Sequence, residues 1–138
     1  MAQKAITSLH AQVYRLTKGA VGGRFGKAEN ILLTTTGRKS GKARTTPLTV
    51  TVDGDRLILV ASNGGAPKHP DWYLNLTAHP DVTVQRGGRQ LHLRARTATP
   101  DERPALWAKV VGTYKGYDGY QKKTDREIPL VVCEPSVP

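Results

Sequence analysis

Apolar positions follow two different periods along this chain, and each change of period marks an element. Ile6, Leu9, Val13 and Leu16 recur at helical spacing, which predicts an amphipathic helix over about 4–18 with Lys4, Arg15 and Lys18 on its polar side. Four glycines between Gly19 and Gly26 predict a loop. From Asn30 to Thr36 the chain is rich in leucine and threonine and reads as a strand that Gly37 stops. Residues 37–44, GRKSGKAR, are too polar and too glycine-interrupted for a core element, so they form a loop or hairpin tip. Leu48, Val50 and Val52 then alternate with threonines, as a strand exposed on one face does. The turn Asp53-Gly54-Asp55 leads into a more buried strand, Leu57 to Ala61. A second hairpin runs from Val82 to Thr97 and turns at Gly87-Gly88.

Two further helices have start signals. His69-Pro70-Asp71 opens a short one that Pro80 ends by Asp81. At Thr99-Pro100-Asp101-Glu102, Thr99 can cap, Pro100 lacks only an amide hydrogen that a first turn leaves unpaired, and Glu102 can reach back. That helix is expected to run to about Gly112, with a shorter or irregular continuation through Tyr120. Ile128 to Cys133 reads as a buried closing strand. Hairpins dominate this order and no strand–helix alternation repeats, so the class is α+β with a mostly antiparallel sheet or barrel.

Composition narrows the function classes. The 138 residues fit one domain, 1–138, with no repeat or long linker to divide it. A chain of this size can bury roughly two-thirds of its unfolded surface, enough for a core without staples. The formal charge of +10 implies an anionic partner: nucleic acid, an anionic membrane face or a polyanionic small molecule. Cys133 is the single cysteine, which excludes an internal disulfide framework and a thiolate zinc site. No apolar run approaches the roughly 18–20 residues of a membrane span, and the first residues lack the pattern of a secretory signal. The expected compartment is the cytosol. The helix over 4–18 either packs on the domain edge or rests its basic side on an anionic membrane face, a peripheral placement.

Four segments could carry chemistry. Arg38, Lys39, Lys42 and Arg44 set four cations beside Gly37, Ser40 and Gly41, an arrangement suited to phosphate or carboxylate unless it is a solvated hairpin tip. Ser62-Asn63-Gly64-Gly65 follows a buried strand, and its paired glycines permit a tight bend with room for a flat ligand, or simply a strand-to-helix turn. Trp72 is either core or the floor under a heterocycle, with Asn75 on a neighbouring helical face. Tyr114, Tyr117 and Tyr120 recur among Gly112, Gly116 and Gly119, as an aromatic lid or an amphipathic helix edge. His10, His69, His79 and His92 have no metal-like spacing, so no metal site is expected, and Ser62 lacks a nucleophile-elbow pattern.

Taken together, LLTTTGRKSGKARTTPL (Leu32 to Leu48), ASNGGAPKHPDWYLNL (Ala61 to Leu76), TYKGYDGYQKKTDREIP (Thr113 to Pro129) and VVCEP (Val131 to Pro135) resemble the deazaflavin-dependent nitroreductase family. The resemblance covers about residues 25–135. It implies a split β-barrel with an N-terminal helix and two peripheral helices, binding coenzyme F(420), an 8-hydroxy-5-deazaflavin with a phosphodiester and carboxylate tail. By match of position, Arg38, Lys39 and Arg44 hold that tail, and Pro47, Leu48 and Thr49 line the cofactor. Ala61, Ser62, Asn63, Gly64 and Gly65 form the loop beside the ring, with Trp72 and Asn75 on the adjacent helix. Tyr114, Tyr117 and Tyr120 are the substrate-side, catalytic group, assisted by Ser62. Position 63 is Asn where some relatives carry Lys, and position 49 is Thr where some carry Tyr. The implied reaction is hydride transfer from the reduced deazaflavin to an electron-poor small molecule such as a quinone, enone or nitroaromatic. Two rivals remain: a carrier that holds deazaflavin without turnover, and a nucleic-acid barrel using Arg86, Arg89, Arg94 and Arg96. No exposed aromatics interleave those arginines, so no nucleic-acid partner is expected.

Overall fold

The computed structural model describes residues 24–25 and 28–135. The helix expected over 4–18 lies outside the described residues. Among the described residues seven strands form one sheet: β1 (Arg24–Phe25), β2 (Ala28–Thr36), β3 (Ala43–Asp53), β4 (Arg56–Val60), β5 (Asp81–Arg86), β6 (Arg89–Thr97) and β7 (Leu130–Pro135). Six of them run β2-β3-β4-β7-β6-β5 and close through a β5–β2 pairing, with Leu33 opposite Val84. Every pairing is antiparallel, so the product is a six-stranded antiparallel barrel. The two residues of β1 add to β2 through Arg24 and Glu29, within the stretch expected to be all loop.

Among the described residues three α-helices cover the barrel where two peripheral ones were expected: α1 (Asp71–Ala78), α2 (Arg103–Thr113) and α3 (Gly116–Lys122). The additional one, α3, stands where a shorter or irregular continuation was expected beyond Gly112, and it is a separate short helix. Its two glycines each cost about 1 kcal/mol against alanine in a helix, and burial of Tyr117, 7% exposed, offsets that cost.

The core explains which apolar runs alternate and which do not. Leu57, Leu59, Val131 and Cys133 point into the barrel with Ile31, Leu33, Val50 and Val84. Ile58, Val60, Leu130 and Val132 point outward under Leu106 and Val110 of α2 and Tyr117 of α3. Thus β4 and β7 are buried on both faces and read as continuous apolar runs. Burial pushes the Cys133 thiol up to about 12, so it is a packing residue in β7. Ile128 is buried but precedes the strand, because Pro129 has no amide to donate to the ladder. Side chains bind the Ile128 backbone instead: Arg103 Nη1 donates to its carbonyl at 2.6 Å and its amide donates to Gln121 Oε1 at 2.9 Å.

The entry to α2 carries the reciprocal cap that its sequence signals. The Thr99 amide donates to Glu102 Oε2 at 2.8 Å, and the Glu102 amide donates to Thr99 Oγ1 at 3.3 Å. Hydrogen bonds from Arg96, then from the Thr99 amide, hold the Glu102 carboxyl down at about 2, against an ordinary 4.5. A carboxylate depressed in the folded state adds stability above its unfolded value and loses it as pH falls through the folded one. Glu102→Gln is therefore expected to lower the unfolding temperature at neutral pH. Thermal scans should show that gap closing as pH falls from about 4.5 toward about 2. A gap independent of pH would assign the loss to packing.

Candidate active site

Two clefts adjoin along β3. The first, about 510 Å³, lies between the β2–β3 loop and α1 and is lined by Arg38, Lys39, Ser40, Arg44, Trp72 and Asn75. The loop closes on its own backbone, with the Gly37 amide donating to the Lys42 carbonyl at 2.8 Å and the Gly41 amide to the Gly37 carbonyl at 2.8 Å. Gly41 has φ 72°, a left-handed conformation that glycine adopts without cost. Arg38 is fixed from two sides. Its backbone amide and its Nη1 both donate to Asn75 Oδ1, at 3.1 and 2.8 Å, while Nη2 reaches Asp71 Oδ1 at 3.4 Å. Asn75 is itself buried and donates to Thr35 Oγ1 at 3.3 Å. Its amide is thus engaged in tying α1 to the basic loop. Arg44 contrasts with Arg38: its Nη1 is buried and has no hydrogen-bond partner among the described residues. An unsatisfied buried donor costs about 1–3 kcal/mol.

The second cleft, about 360 Å³, is lined by Pro47, Leu48 and Thr49 of β3, by Ser62 and Gly64, and by Tyr114, Tyr117 and Tyr120. Thr45 and Thr46 line the basic cleft and the next three residues line this one, so the two are successive stretches of a single strand. Facing β3 is a turn with three consecutive positive φ values: Asn63 at 48°, Gly64 at 65° and Gly65 at 82°. Left-handed backbone costs an L-residue roughly 1–2 kcal/mol, which accounts for two glycines and an asparagine here. A Cβ on Gly65 would also lie 2.9 Å from the Tyr120 carbonyl, so the turn packs backbone to backbone on α3. On Gly64 a Cβ would meet nothing within 4 Å, which leaves that wall flat and open.

The tyrosines form one cluster. The rings of Tyr114 and Tyr117 meet edge to face at 5.0 Å, and the Tyr114 and Tyr120 hydroxyls share a hydrogen bond of 3.2 Å. Tyr114 folds over Gly116, where a Cβ would come within 2.4 Å of its ring. Burial pushes the Tyr117 phenol up to about 12, so it is protonated at neutral pH.

The structure gathers most of the expected site residues at these two clefts but separates some. Ala61 is fully buried behind the turn, with its amide on the Pro129 carbonyl at 3.0 Å. The Asn63 side chain donates to the Lys68 carbonyl at 3.0 Å. Gly65 and Asn75 support the walls without opening onto the second cleft. Sequence reasoning missed Arg126 and Gln121. Arg126 binds three backbone carbonyls and the distant His69 ring, and Gln121 binds the backbone of 126–128, so no local side-chain pattern announces either. Three of the four arginines that suggested nucleic acid have carboxylate partners: Arg86 with Glu29, Arg94 with Asp81, and Arg96 with Glu102 and Glu134. Among the described residues no group of His, Cys, Asp and Glu could hold a metal ion. No helix among them is long and apolar enough to cross a membrane.

The model of the F(420)H(2)-dependent quinone reductase family matches residues 6–135. The chain belongs to that family. As an F(420)H(2)-dependent quinone reductase it is an oxidoreductase, with coenzyme F(420) as its cofactor and a small-molecule electron acceptor. A Mycobacterium tuberculosis protein named F(420)H(2)-dependent quinone reductase is 41% identical over 128 residues, covering 90% of this chain and 86% of its own. A solved F(420)-H2-dependent reductase is 45% identical with a TM-score of 0.71, covering 76% of this chain and 93% of its own. A second solved structure, described as a domain-swapped dimer, is 41% identical with a TM-score of 0.74, covering 92% of this chain and 97% of its own. The six-stranded barrel with its helices is thus the architecture of F(420)-dependent reductases.

Proposed function

We propose that the two clefts divide the work of this quinone reductase: the basic cleft holds the anionic tail of F(420), and the tyrosine cleft holds its ring against the quinone. The observation that carries this reading is the buried, unpartnered Nη1 of Arg44 in the wall of the basic cleft. It is a charged donor matched to a phosphodiester or carboxylate oxygen. Arg38, fixed by Asn75, and the exposed Lys39 complete the tail site. Pro47, Leu48 and Gly64 offer low walls to a flat ring, and Ser62 lies beside it. When bound, the reduced deazaflavin supplies hydride, carbon standing where a flavin has its reactive nitrogen. The protein's part is to stack the acceptor, exclude water and place a protonated phenol where negative charge develops.

Mixing the protein with reduced F(420) and a quinone is expected to return the oxidised deazaflavin absorbance, with no turnover from a flavin nucleotide or nicotinamide donor. Tight flavin mononucleotide binding without F(420) binding would overturn the proposal. Stoichiometric F(420) binding with no turnover over quinones, enones and nitroaromatics would make the protein a carrier instead.

A further inference from the structure

We infer that Arg126 is the positioning residue that clamps the Ser62–Gly65 turn and thereby sets the gap between the two walls of the tyrosine cleft. Its guanidinium gathers four acceptors across the base of that turn. Nη1 and Nη2 donate to the Ala61 carbonyl at 3.3 Å and the Ser62 carbonyl at 2.8 Å, on the incoming limb. Nε donates to the Ala66 carbonyl at 2.9 Å, on the outgoing limb. Nη1 also donates to His69 Nδ1 at 3.0 Å, which fixes the neutral tautomer with its proton on Nε2. Only a planar fork reaches both limbs at once; a lysine has a single point of charge.

The turn needs such a clamp. Its positive-φ run is closed internally by two backbone bonds, the Gly65 amide to the Ser62 carbonyl at 2.9 Å and the Ala66 amide to the Asn63 carbonyl at 3.1 Å. Left-handed backbone persists where its surroundings over-determine it. The same segment is tied to α3, because Gln121 donates through Nε2 to the Arg126 carbonyl at 2.8 Å and accepts the Ile128 amide at 2.9 Å. Arg126 therefore links the glycine wall to the helix that carries Tyr117 and Tyr120. Among the described residues it has no carboxylate within salt-bridge distance, so carbonyl oxygens and an imidazole are what hold it.

The inference rests on the assignment of the tyrosine cleft to the deazaflavin ring, and two measurements separate the two claims. The first needs no cofactor. In Arg126→Lys, amide hydrogen exchange at Gly65 and Ala66 is expected to rise about tenfold or more, as local opening becomes easier, while Leu59 and Val131 in the β4–β7 ladder keep wild-type rates. Unchanged exchange at the turn overturns the inference, and so does an equal rise in the ladder, which would make Arg126 a general stabiliser. The second is an absorbance titration with 8-hydroxy-5-deazaflavin lacking the tail. Wild type should bind it, and Arg126→Lys should bind it about tenfold more weakly, with the salt dependence of intact F(420) binding unchanged. If wild type does not bind the fragment, the ring assignment fails and the proposed role falls with it. If both proteins bind it equally, only the Arg126 inference fails. Should Arg126→Lys fold poorly, Gln121→Leu frees the same segment from α3 and is expected to raise exchange at Gly65 and Ala66; wild-type rates there overturn the link.

Discussion

Replacing Arg44 by alanine is expected to weaken binding of intact F(420) by about 10–100-fold while leaving a tail-free deazaflavin fragment nearly unaffected. A charge-assisted hydrogen bond is worth about 1.5–3 kcal/mol, and each 1.4 kcal/mol or so is tenfold in affinity. Arg44 should fall in the upper part of that range, because its Nη1 has no partner among the described residues to give up before it meets an anion. Arg38 differs. Its guanidinium already lies on Asn75 and Asp71, so Arg38→Ala removes a tail contact and also unties α1 from the loop. Both losses should shrink as salt is raised, since the cleft is open to solvent and screening acts on its charges. Titrations of intact cofactor and fragment at two salt concentrations check the prediction. Equal losses for both ligands would place the ring, and not the tail, in the basic cleft.

How much of this was legible in the sequence depends on where the information lies. Hairpins announce themselves locally, so β3 to β6 fall within a few residues of their expected limits, and the Thr99–Glu102 cap forms as its spacing implies. Barrel closure is not local. The β2–β5 pairing joins residues near 33 to residues near 84, and nothing in either segment names its partner. The helix α3 was hidden by its glycines, whose low propensity is outweighed by a tertiary contact, the burial of Tyr117 under α2. At the site, residue chemistry alone suggested an anion-binding loop, whereas the deazaflavin followed from the resemblance of four ordered blocks. Asn75, expected on the helix next to the ring, buries its amide between Arg38 and Thr35, a contact across 37 and 40 residues that no local pattern announces. Arg126 was invisible for a different reason. Three of its four partners are main-chain carbonyls, which every residue possesses.

Tyr117→Phe is expected to lower turnover by about 100-fold with F(420) affinity nearly unchanged, the scale of removing one preorganised donor to developing charge. All three tyrosines line the cleft, and burial and an unpaired hydroxyl single out this phenol from its neighbours. It is 7% exposed, its hydroxyl has no hydrogen-bond partner among the described residues, and it lines the cleft with Ser62 and Gly64. Its proton affinity sharpens the role. Pushed up to about 12 by burial, it stays protonated throughout the neutral range and gives up its proton reluctantly. Such a group stabilises negative charge on an acceptor oxygen by hydrogen bonding, a contribution realised as charge develops and so visible in kcat more than in KM. Tyr114 and Tyr120 already hydrogen-bond to each other, so removing either hydroxyl frees the other to serve, and each single Phe variant should lose less than tenfold or so. Phe removes only the hydroxyl oxygen, so the ring of Tyr114 keeps its place against Gly116. Steady-state kinetics of the three variants with one quinone, alongside F(420) titrations, decide the matter. Full turnover in all three means that the hydroxyls donate nothing and the tyrosines only shape the cleft. A loss confined to Tyr114→Phe or Tyr120→Phe would move the donor from the buried phenol to the exposed pair.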